Sequence, residues 1–217
     1  MMARVLKIIF FAFIVKPVVL VVLGLNVGNR QNLPRKGPAV VVANHNSHLD
    51  TLVLMSLYPL LDIHRIRPVA AADYFLSNRL VAWFSLNVIG IIPLERKARS
   101  RPKVLFEQCE KALDNGDVLI IFPEGSRGQP EQLGTLKRGV YHLLKNRQDT
   151  VLTPVVMHGL GRALPRGDGL LVPFNCDVMV GESIAIGADG QELIDNLTIA
   201  YKTLLDQCLT RRSSDVV

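Results

Sequence analysis

A histidine and an aspartate with four residues between them stand out in residues 43–50, whose sequence is ANHNSHLD. A neutral imidazole can take a proton from a hydroxyl or amine as that group attacks a substrate. A carboxylate behind the imidazole fixes its tautomer and stabilises the imidazolium that forms. No serine or cysteine nucleophile is needed when the base activates the acceptor directly. His45 and Asp50 are therefore a candidate general base and its orienting carboxylate.

The same residues allow other interpretations. In a purely structural one, His45 hydrogen-bonds a turn, and Ser47 or Asp50 caps the next helix. His48 is a rival base. His45, His48 and Asp50 also have the residue types of a metal triad, as in a metal-dependent hydrolase. A metal is disfavoured because no further strong ligand outside this segment is evident, and a tight turn would have to wrap around the ion.

The apolar segments around these residues predict where they lie. Residues 39–42 have the β-branched character of a buried strand, and a helical pattern begins at about Asp50. Similar apolar segments alternate with helical patterns along the rest of the chain. This alternation predicts a three-layer α/β domain with a mostly parallel central sheet. His45 then follows the carboxyl end of a strand, the edge at which α/β folds keep their sites.

A second polar segment follows the strand predicted over residues 117–122. The sequence PEGSR at 123–127 contains an arginine, which can bind a phosphate through two hydrogen bonds, and a glycine, which permits close backbone approach. A plain turn with a surface arginine is the alternative. Arg96 follows the strand predicted at 90–94 in the same way, and a solvated charge is its alternative interpretation.

The composition favours a folded domain with anionic partners. The chain has 217 residues, of which 49% are hydrophobic and 20% charged, so it is too apolar to be disordered. Its net charge of +6 favours phosphates, anionic lipid surfaces or acidic carriers. Nucleic acid is disfavoured because aromatics make up only 6% and no recognised binding motif is present. The three cysteines lack CxxC spacing, which indicates reduced thiols in a cytosol-facing domain.

The amino-terminal residues 8–27 are almost entirely apolar, and basic residues flank them on both sides. A helix of about 20 residues spans roughly 30 Å, the thickness of a bilayer core. The Lys16–Pro17 pair near its middle fits a bent, shallow or re-entrant anchor as well as a straight span. We expect residues 1–31 to be a membrane-associated helical segment and 32–217 to be a domain whose core folds without it. An amphipathic helix that packs on the domain is the alternative.

Four blocks follow one another along the chain, namely the His45-x4-Asp50 pair, GIIPLER at 90–96, FPEGSR at 122–127 and LTPV at 152–155. This ordered set resembles the glycerolipid acyltransferase family, in particular the bacterial lysophosphatidic acid acyltransferases with their HxxxxD motif. The resemblance covers roughly residues 40–158. It implies that His45 is the base and Asp50 its partner, with no metal or redox cofactor. The residues that it implies for substrate binding are Arg96, Glu124, Gly125, Ser126, Arg127 and Lys137.

The resemblance also implies a reaction. A fatty acyl group passes from an acyl thioester, acyl-CoA or acyl-carrier protein, to the free hydroxyl of a lysophospholipid, with 1-acyl-glycerol-3-phosphate as the expected acceptor and phosphatidic acid as the product. Arg96 and Arg127 would bind the acceptor's phosphate, while backbone amides near His45 or within 122–127 would hold the oxyanion. An apolar tunnel must hold the acyl chain. The candidates for its wall are Leu76, Trp83, Phe84 and Val88.

One departure from the family's pattern concerns the acceptor. Many members carry one or two lysines for the acceptor phosphate after the second strand, where this chain has AADY at 71–74. Another lysolipid, such as a lyso-ornithine lipid, is therefore an alternative acceptor. A non-catalytic lipid-binding protein with the same fold is a further alternative, against which the intact His45–Asp50 pair argues. The resemblance implies a location at the bacterial inner membrane, with the domain facing the cytoplasm.

Overall fold

The computed structural model describes residues 2–75, 78–95, 102–129, 131–163 and 174–211, without the side chains of residues 74 and 102–104. The helices are α1 (Met2–Phe10), α2 (Lys16–Val21), α3 (Asp50–Ser56), α4 (Ala72–Phe75), α5 (Arg79–Phe84), α6 (Pro102–Asp114), α7 (Gly139–Leu144), α8 (Leu160–Ala163) and α9 (Gly190–Leu205). The strands are β1 (Leu23–Gly28), β2 (Ala39–Ala43), β3 (Ile66–Ala71), β4 (Ile92–Leu94), β5 (Val118–Ile121), β6 (Val151–His158) and β7 (Phe174–Val180). The π-helical turns Phe11–Val15 and Ser85–Ile89 join α1 to α2 and extend α5.

In the described part of the chain, seven strands form one mixed sheet in the order β1-β7-β6-β2-β5-β3-β4. Its neighbours run parallel except for the β6–β7 pair. β2 lies between β5 and β6, with Ala39 aligned on Val118 and on Val151. The predicted α/β fold is confirmed, and its mostly parallel sheet carries one antiparallel pairing. The carboxyl ends of β2 and β5 therefore meet at one edge of the sheet.

Helices cover both faces of this sheet. Along β2, Ala39, Val41 and Ala43 point into a first core, which α1, α2, α3 and α8 cover. Val40 and Val42 point into a second core, which α6, α7 and α9 cover. The alternation explains why β2 is apolar at every position, because both of its faces are buried. Helix, sheet and helix thus form the three predicted layers.

The amino-terminal segment packs onto the domain and ends within the sheet. Phe11, Val15 and Val19 are buried in the first core. The prediction of one helical segment through residue 31 is wrong beyond Val21, because β1 pairs in parallel with β7. The sequence of β1, LGLNVG, alternates apolar residues with glycine and asparagine, and this period of two suits a strand. Loss of the first 31 residues would remove an edge strand and core side chains, so nothing supports a core that folds without them.

The outer side of the amino-terminal helices is apolar. No helix in the described residues is both long enough and apolar enough to cross a membrane. Large apolar side chains nevertheless face outward from α1, the π-helical turn and α2, and others do so from α5. Those most exposed are Met2, Phe13, Leu20, Val21 and Leu80.

Candidate active site

The turn between β2 and α3 is held in place by asparagine side chains. The amide of Asn44 donates to the backbone oxygen of Met157 at 2.8 Å, and its oxygen accepts from the Met157 N–H at 2.7 Å. Asn46 also donates to the Met157 oxygen, at 3.4 Å. Because Met157 lies near the carboxyl end of β6, these contacts fix the turn against the neighbouring strand. His45 therefore projects from a turn with little freedom to move.

Asp50 organises this turn from within. Its Oδ2 lies 2.9 Å from Nδ1 of His45 and also accepts from the backbone N–H groups of Asn46, at 2.7 Å, and Ser47, at 2.9 Å. The carboxylate is completely buried. It bonds amides that precede α3, so the interpretation of Asp50 as a helix cap is wrong. Since a carboxylate only accepts, the proton of a neutral His45 imidazole lies on Nδ1 and the lone pair on Nε2.

The loop that follows β5 packs against His45, because β2 and β5 are neighbours in the sheet. The ring of Phe122 stacks on the imidazole, with centroids 4.2 Å apart and planes 21° apart. The N–H of Gly128 donates to the His45 backbone oxygen at 3.1 Å. The His45 N–H donates to Oε1 of Glu124, also at 3.1 Å. Both backbone groups of His45 are thus bonded by this loop.

Glu124 lies beneath the site, away from its opening. Its side chain is buried, it is absent from the lining of the adjacent cavity, and its carboxylate bonds the His45 amide. Burial, partly offset by the hydrogen bond from His45, raises the pKa of the Glu124 carboxyl. We therefore assign it to the architecture of the loop. Its predicted contact with substrate stays a prediction without support from this geometry.

His48 differs from His45 in its surroundings. The guanidinium of Arg127 donates to Nε2 of His48, which must therefore carry a lone pair. Burial, followed by the positive charge of Arg127, lowers the pKa of His48. A cation bound at this nitrogen also makes the turn a poor place for a second, metallic cation. Among the residues that the structure describes, no three His, Cys, Asp or Glu side chains are grouped as metal ligands would be.

A cavity of about 600 Å³ opens beside His45. One end is polar and carries most of the residues that the sequence singled out, while the rest is apolar. Its polar lining includes His45, His48, Gly125, Ser126, Arg127 and Lys137. Its apolar lining includes Phe75, Val81, Phe84, Ile89, Phe106 and Val140. This shape suits a ligand with an anionic head and a hydrocarbon tail.

The predicted tunnel residues have different positions. Phe84 lines the cavity, whereas Trp83 is half-exposed and Val88 is buried elsewhere. Leu76 and Arg96 lie outside the described residues. At the place where the family often has lysine, Ala71 lines the cavity and Asp73 is exposed.

Gly125 and Lys137 meet across the 122–138 loop. Gly125 has a φ of +73°, in the left-handed region that favours glycine. A Cβ at this position would lie 2.7 Å from Nζ of Lys137. The N–H of Lys137 also donates to the oxygen of Pro123 at 2.9 Å, which closes the loop. The structure thus brings Lys137 beside Gly125, Ser126 and Arg127.

The cysteines lie away from this chemistry. Cys109, Cys176 and Cys208 are all buried and free. Burial raises the pKa of each thiol to about 12. Because the thiolate is the reactive form, none of the three is suited to act as a nucleophile near neutral pH.

Sequence reasoning missed the side chains that support the site. Asn44 and Asn46 flank His45, and both side chains bond the backbone oxygen of Met157. Asparagines directly after a strand are typical of turns, and this signal could have predicted their hydrogen bonds. Glu131 and His158, whose side chains approach to 3.5 Å, are far apart in sequence and belong to none of the four blocks, so nothing in the sequence connected them.

His45 and Asp50 thus lie at the carboxyl end of a parallel strand, beside a half-polar cavity. The chain belongs to the Acyltransferase family, whose sequence profile matches residues 24–158. A chloroplastic 1-acyl-sn-glycerol-3-phosphate acyltransferase of Arabidopsis thaliana is 27% identical over 162 residues, which are 74% of this chain and 43% of the plant protein. The 1-acyl-sn-glycerol-3-phosphate acyltransferase alpha of Mus musculus is 30% identical over 136 residues, 61% of this chain and 45% of the mouse protein.

The chain thus spans less than half the length of these curated relatives. Its fold is also that of a solved structure, the 1-acyl-sn-glycerophosphate acyltransferase PlsC from Thermotoga maritima. The TM-score is 0.77 with 19% sequence identity, and the match covers 97% of this chain and 83% of PlsC.

Proposed function

We propose that the protein transfers a fatty acyl group from an acyl thioester to the free hydroxyl of a lysophospholipid, most favourably 1-acyl-glycerol-3-phosphate, to give phosphatidic acid. The observation that carries this proposal is the His45–Asp50 pair at the polar end of a cavity whose other walls are apolar. Relatives named as 1-acyl-sn-glycerol-3-phosphate acyltransferases support the choice of acceptor.

The proposed chemistry begins at Nε2 of His45. This nitrogen takes the proton of the acceptor hydroxyl while the hydroxyl oxygen attacks the thioester carbonyl carbon. Asp50 stabilises the imidazolium through Nδ1, at 2.9 Å. When the tetrahedral intermediate collapses, the carbon–sulfur bond breaks, and the departing thiolate takes the proton from the imidazolium. Protons and charge balance without a metal, a redox group or a covalent acyl-enzyme.

The developing oxyanion needs backbone donors that are not already engaged by carboxylates. In the His45 turn, the N–H of His45 donates to Glu124, and those of Asn46 and Ser47 donate to Asp50. We therefore assign the oxyanion to the backbone around Ser126, which lines the cavity. This choice places the negative charge beside the cations of the same loop.

The acceptor's phosphate is assigned to Arg127 and Lys137, which line the polar end of the cavity. Both are cations, and a guanidinium can bind two phosphate oxygens at once. Arg96 is proposed as a third contact, from the sequence alone. The apolar walls would take an acyl chain, and either acyl-CoA or acyl-carrier protein would supply it.

We also propose that the protein lies on the cytoplasmic face of a bacterial inner membrane. The outward apolar side chains of α1, α2 and the π-helical turn between them, led by Phe13, Leu20 and Val21, support this, because contact with lipid would remove them from water. Arg4 of α1 is exposed and suits anionic head groups.

The test of the reaction is a panel of lysolipids offered to the purified protein with acyl-CoA or acyl-carrier protein, with products read by mass. Acylation of 1-acyl-glycerol-3-phosphate above all other acceptors, lost in His45→Ala, is the expected result. Preference for a lyso-ornithine lipid would show that the proposed acceptor is wrong and would leave the proposed mechanism unchanged. Full activity of His45→Ala, or loss of activity with a chelator and recovery with zinc, would overturn the mechanism. Absence of any transfer would favour a lipid-binding protein.

The membrane proposal is tested with vesicles and matched surface variants. Phe13→Ser removes an outward apolar side chain that is 76% exposed, and Ile199→Ser removes one that is 63% exposed on α9. Phe13→Ser should weaken binding to anionic vesicles about tenfold. Ile199→Ser should bind as the unmodified protein does. Equal loss in both variants would contradict the assigned surface.

A further inference from the structure

Glu131 ties the 122–138 loop to the end of a neighbouring strand. Its Oε2 accepts from the N–H of Gly159 at 2.8 Å, and its Oε1 accepts from the N–H of Gly161 at 3.1 Å. The side chain is only 5% exposed. Its φ of +62° lies in the left-handed region, which few residues other than glycine adopt. A buried carboxylate in an unfavourable backbone conformation points to a specific positioning role.

His158, the last residue of β6, completes this contact. Its Nε2 lies 3.5 Å from Oε2 of Glu131, and its side chain is 2% exposed. Its Nδ1 lies 2.7 Å from the Thr210 hydroxyl oxygen. That hydroxyl is 2.6 Å from Oδ2 of Asp177, to which it must donate because a carboxylate only accepts. Nδ1 of His158 therefore donates to Thr210.

The same strand end also bonds the turn that carries the base. Met157, which precedes His158, exchanges two hydrogen bonds with the side chain of Asn44. Two adjacent residues of β6 thus bind the two halves of the site. Met157 fixes the His45 turn, and His158 with the amides after it fixes the loop that carries Arg127, four residues before Glu131.

We propose that Glu131 and His158 are positioning residues that set the distance between the base and the cations that bind the acceptor's phosphate. The inference rests on the proposed function, and it adds two residues that touch no substrate. Neither lines the cavity, so their effect must act through the loop. Loosening the loop should weaken acceptor binding. Because the loop also carries Ser126 and bonds His45, kcat should fall as well, while the apolar walls outside the loop stay as they are.

The kinetic test uses Glu131→Gln and His158→Gln, with Glu107→Gln as the matched control. Glu107 makes an exposed ion pair with Lys111, so the control repeats the loss of charge on the surface. We expect the KM for the acceptor to rise about tenfold in both test variants, with the KM for the thioester within about twofold of the unmodified protein. In Glu107→Gln, both KM values should stay as in the unmodified protein. A lower melting temperature with an unchanged acceptor KM would show a merely structural role and overturn the proposal.

Hydrogen–deuterium exchange tests the same proposal without any activity. In Glu131→Gln and His158→Gln, exchange should increase in peptides from the 122–138 loop and stay unchanged in peptides from β2 and α9. Equal exchange in the loop of variant and unmodified protein would refute the inference even if the lysolipid panel succeeds. Faster exchange in the loop, together with no acyl transfer to any lysolipid of the panel, would instead refute the proposed reaction. The role of Glu131 and His158 in holding the loop would still stand.

Discussion

Asp50 holds the imidazole of His45 with the same oxygen that orders the backbone around it. Oδ2 is 2.9 Å from Nδ1 of His45 and accepts from the N–H groups of Asn46 and Ser47 as well. The orientation of the base and the shape of the turn therefore depend on one atom. Substitution of His45 should therefore affect mainly activity, whereas substitution of Asp50 should affect both activity and stability.

His45→Ala and Asp50→Asn should differ in stability more than in activity. Transfer should fall by about 10³-fold or more in both, because each loses the oriented base. His45→Ala should leave the melting temperature nearly unchanged. Asp50→Asn should lower the free energy of unfolding by about 2 kcal/mol, since hydrogen bonds to a buried charge are lost. Thermal unfolding of both variants checks this, and equal stability would contradict the role of Oδ2 in the turn.

Gly125→Ala should impair acceptor binding beyond its cost in stability. The new Cβ would lie 2.7 Å from Nζ of Lys137, which must move. Gly116→Ala is the matched control, because Gly116 has the same φ of +73° and a Cβ there would lie 3.7 Å from the backbone oxygen of Gly37, an ordinary contact. Both variants should lose about 1 kcal/mol of stability from backbone strain. The acceptor KM should rise in Gly125→Ala alone, and a rise in both would argue against the contact with Lys137.

Arg127→Gln should raise the pKa of His48. The positive charge of Arg127 is one of the causes that lower this pKa, while burial, the larger cause, remains in the variant. An NMR titration of the His48 ring signals measures the change. Arg138→Gln serves as control, because Arg138 donates to Gln191 away from His48. An unchanged His48 titration in Arg127→Gln would show that the guanidinium does not stay at the imidazole in solution.

Lys7 should give the protein a pH-dependent stability. The residue is 3% exposed, and its Nζ donates to the backbone oxygen of Ile66 at 2.9 Å. Burial, aided by the charge of Arg67 and opposed by Asp117, lowers its pKa from 10.5 to about 7. Between these pH values the unfolded chain holds a proton that the folded chain lacks, so the free energy of unfolding rises with pH.

Lys7→Met lacks this proton and should lack this slope. Relative to the variant, the unmodified protein should gain about 2 kcal/mol of stability between pH 7.5 and 9.5. Urea unfolding at the two pH values measures the difference. Parallel stability curves for the two proteins would show that Lys7 stays charged or leaves its buried position.

The sequence predicted the centre of the molecule well because its signals there are local. The strand before His45 is apolar on both faces, and the polar loop after β5 follows a second such strand. Parallel strands place their carboxyl ends together, so His45 meets the 122–127 segment because β2 and β5 are neighbours, an order that the sequence left open. The preference for His45 over His48 agrees with the contact that Arg127 makes to His48.

The edges of the molecule were harder to predict because their signals are not local. β1 follows an apolar helix without a break in hydropathy, and only its pairing with β7 makes it a strand. β7 runs antiparallel to β6, and residues 164–173 between them lie outside the described part of the chain. The burial of Glu124 was also not readable, since a charged residue in a polar loop is usually exposed.

The edge-to-face contact between Phe10 and Phe84 joins the outer helix to the wall of the cavity, with ring centroids 5.1 Å apart. Phe10 belongs to α1, whose outward side chains are apolar, and Phe84 lines the cavity. A lipid tail that leaves a bilayer beside α1 would move from one hydrocarbon-like medium into another. Transfer of each methylene into water costs about 0.8 kcal/mol. On the proposed membrane surface, a route along this contact would avoid a partition barrier that grows with every carbon of the tail.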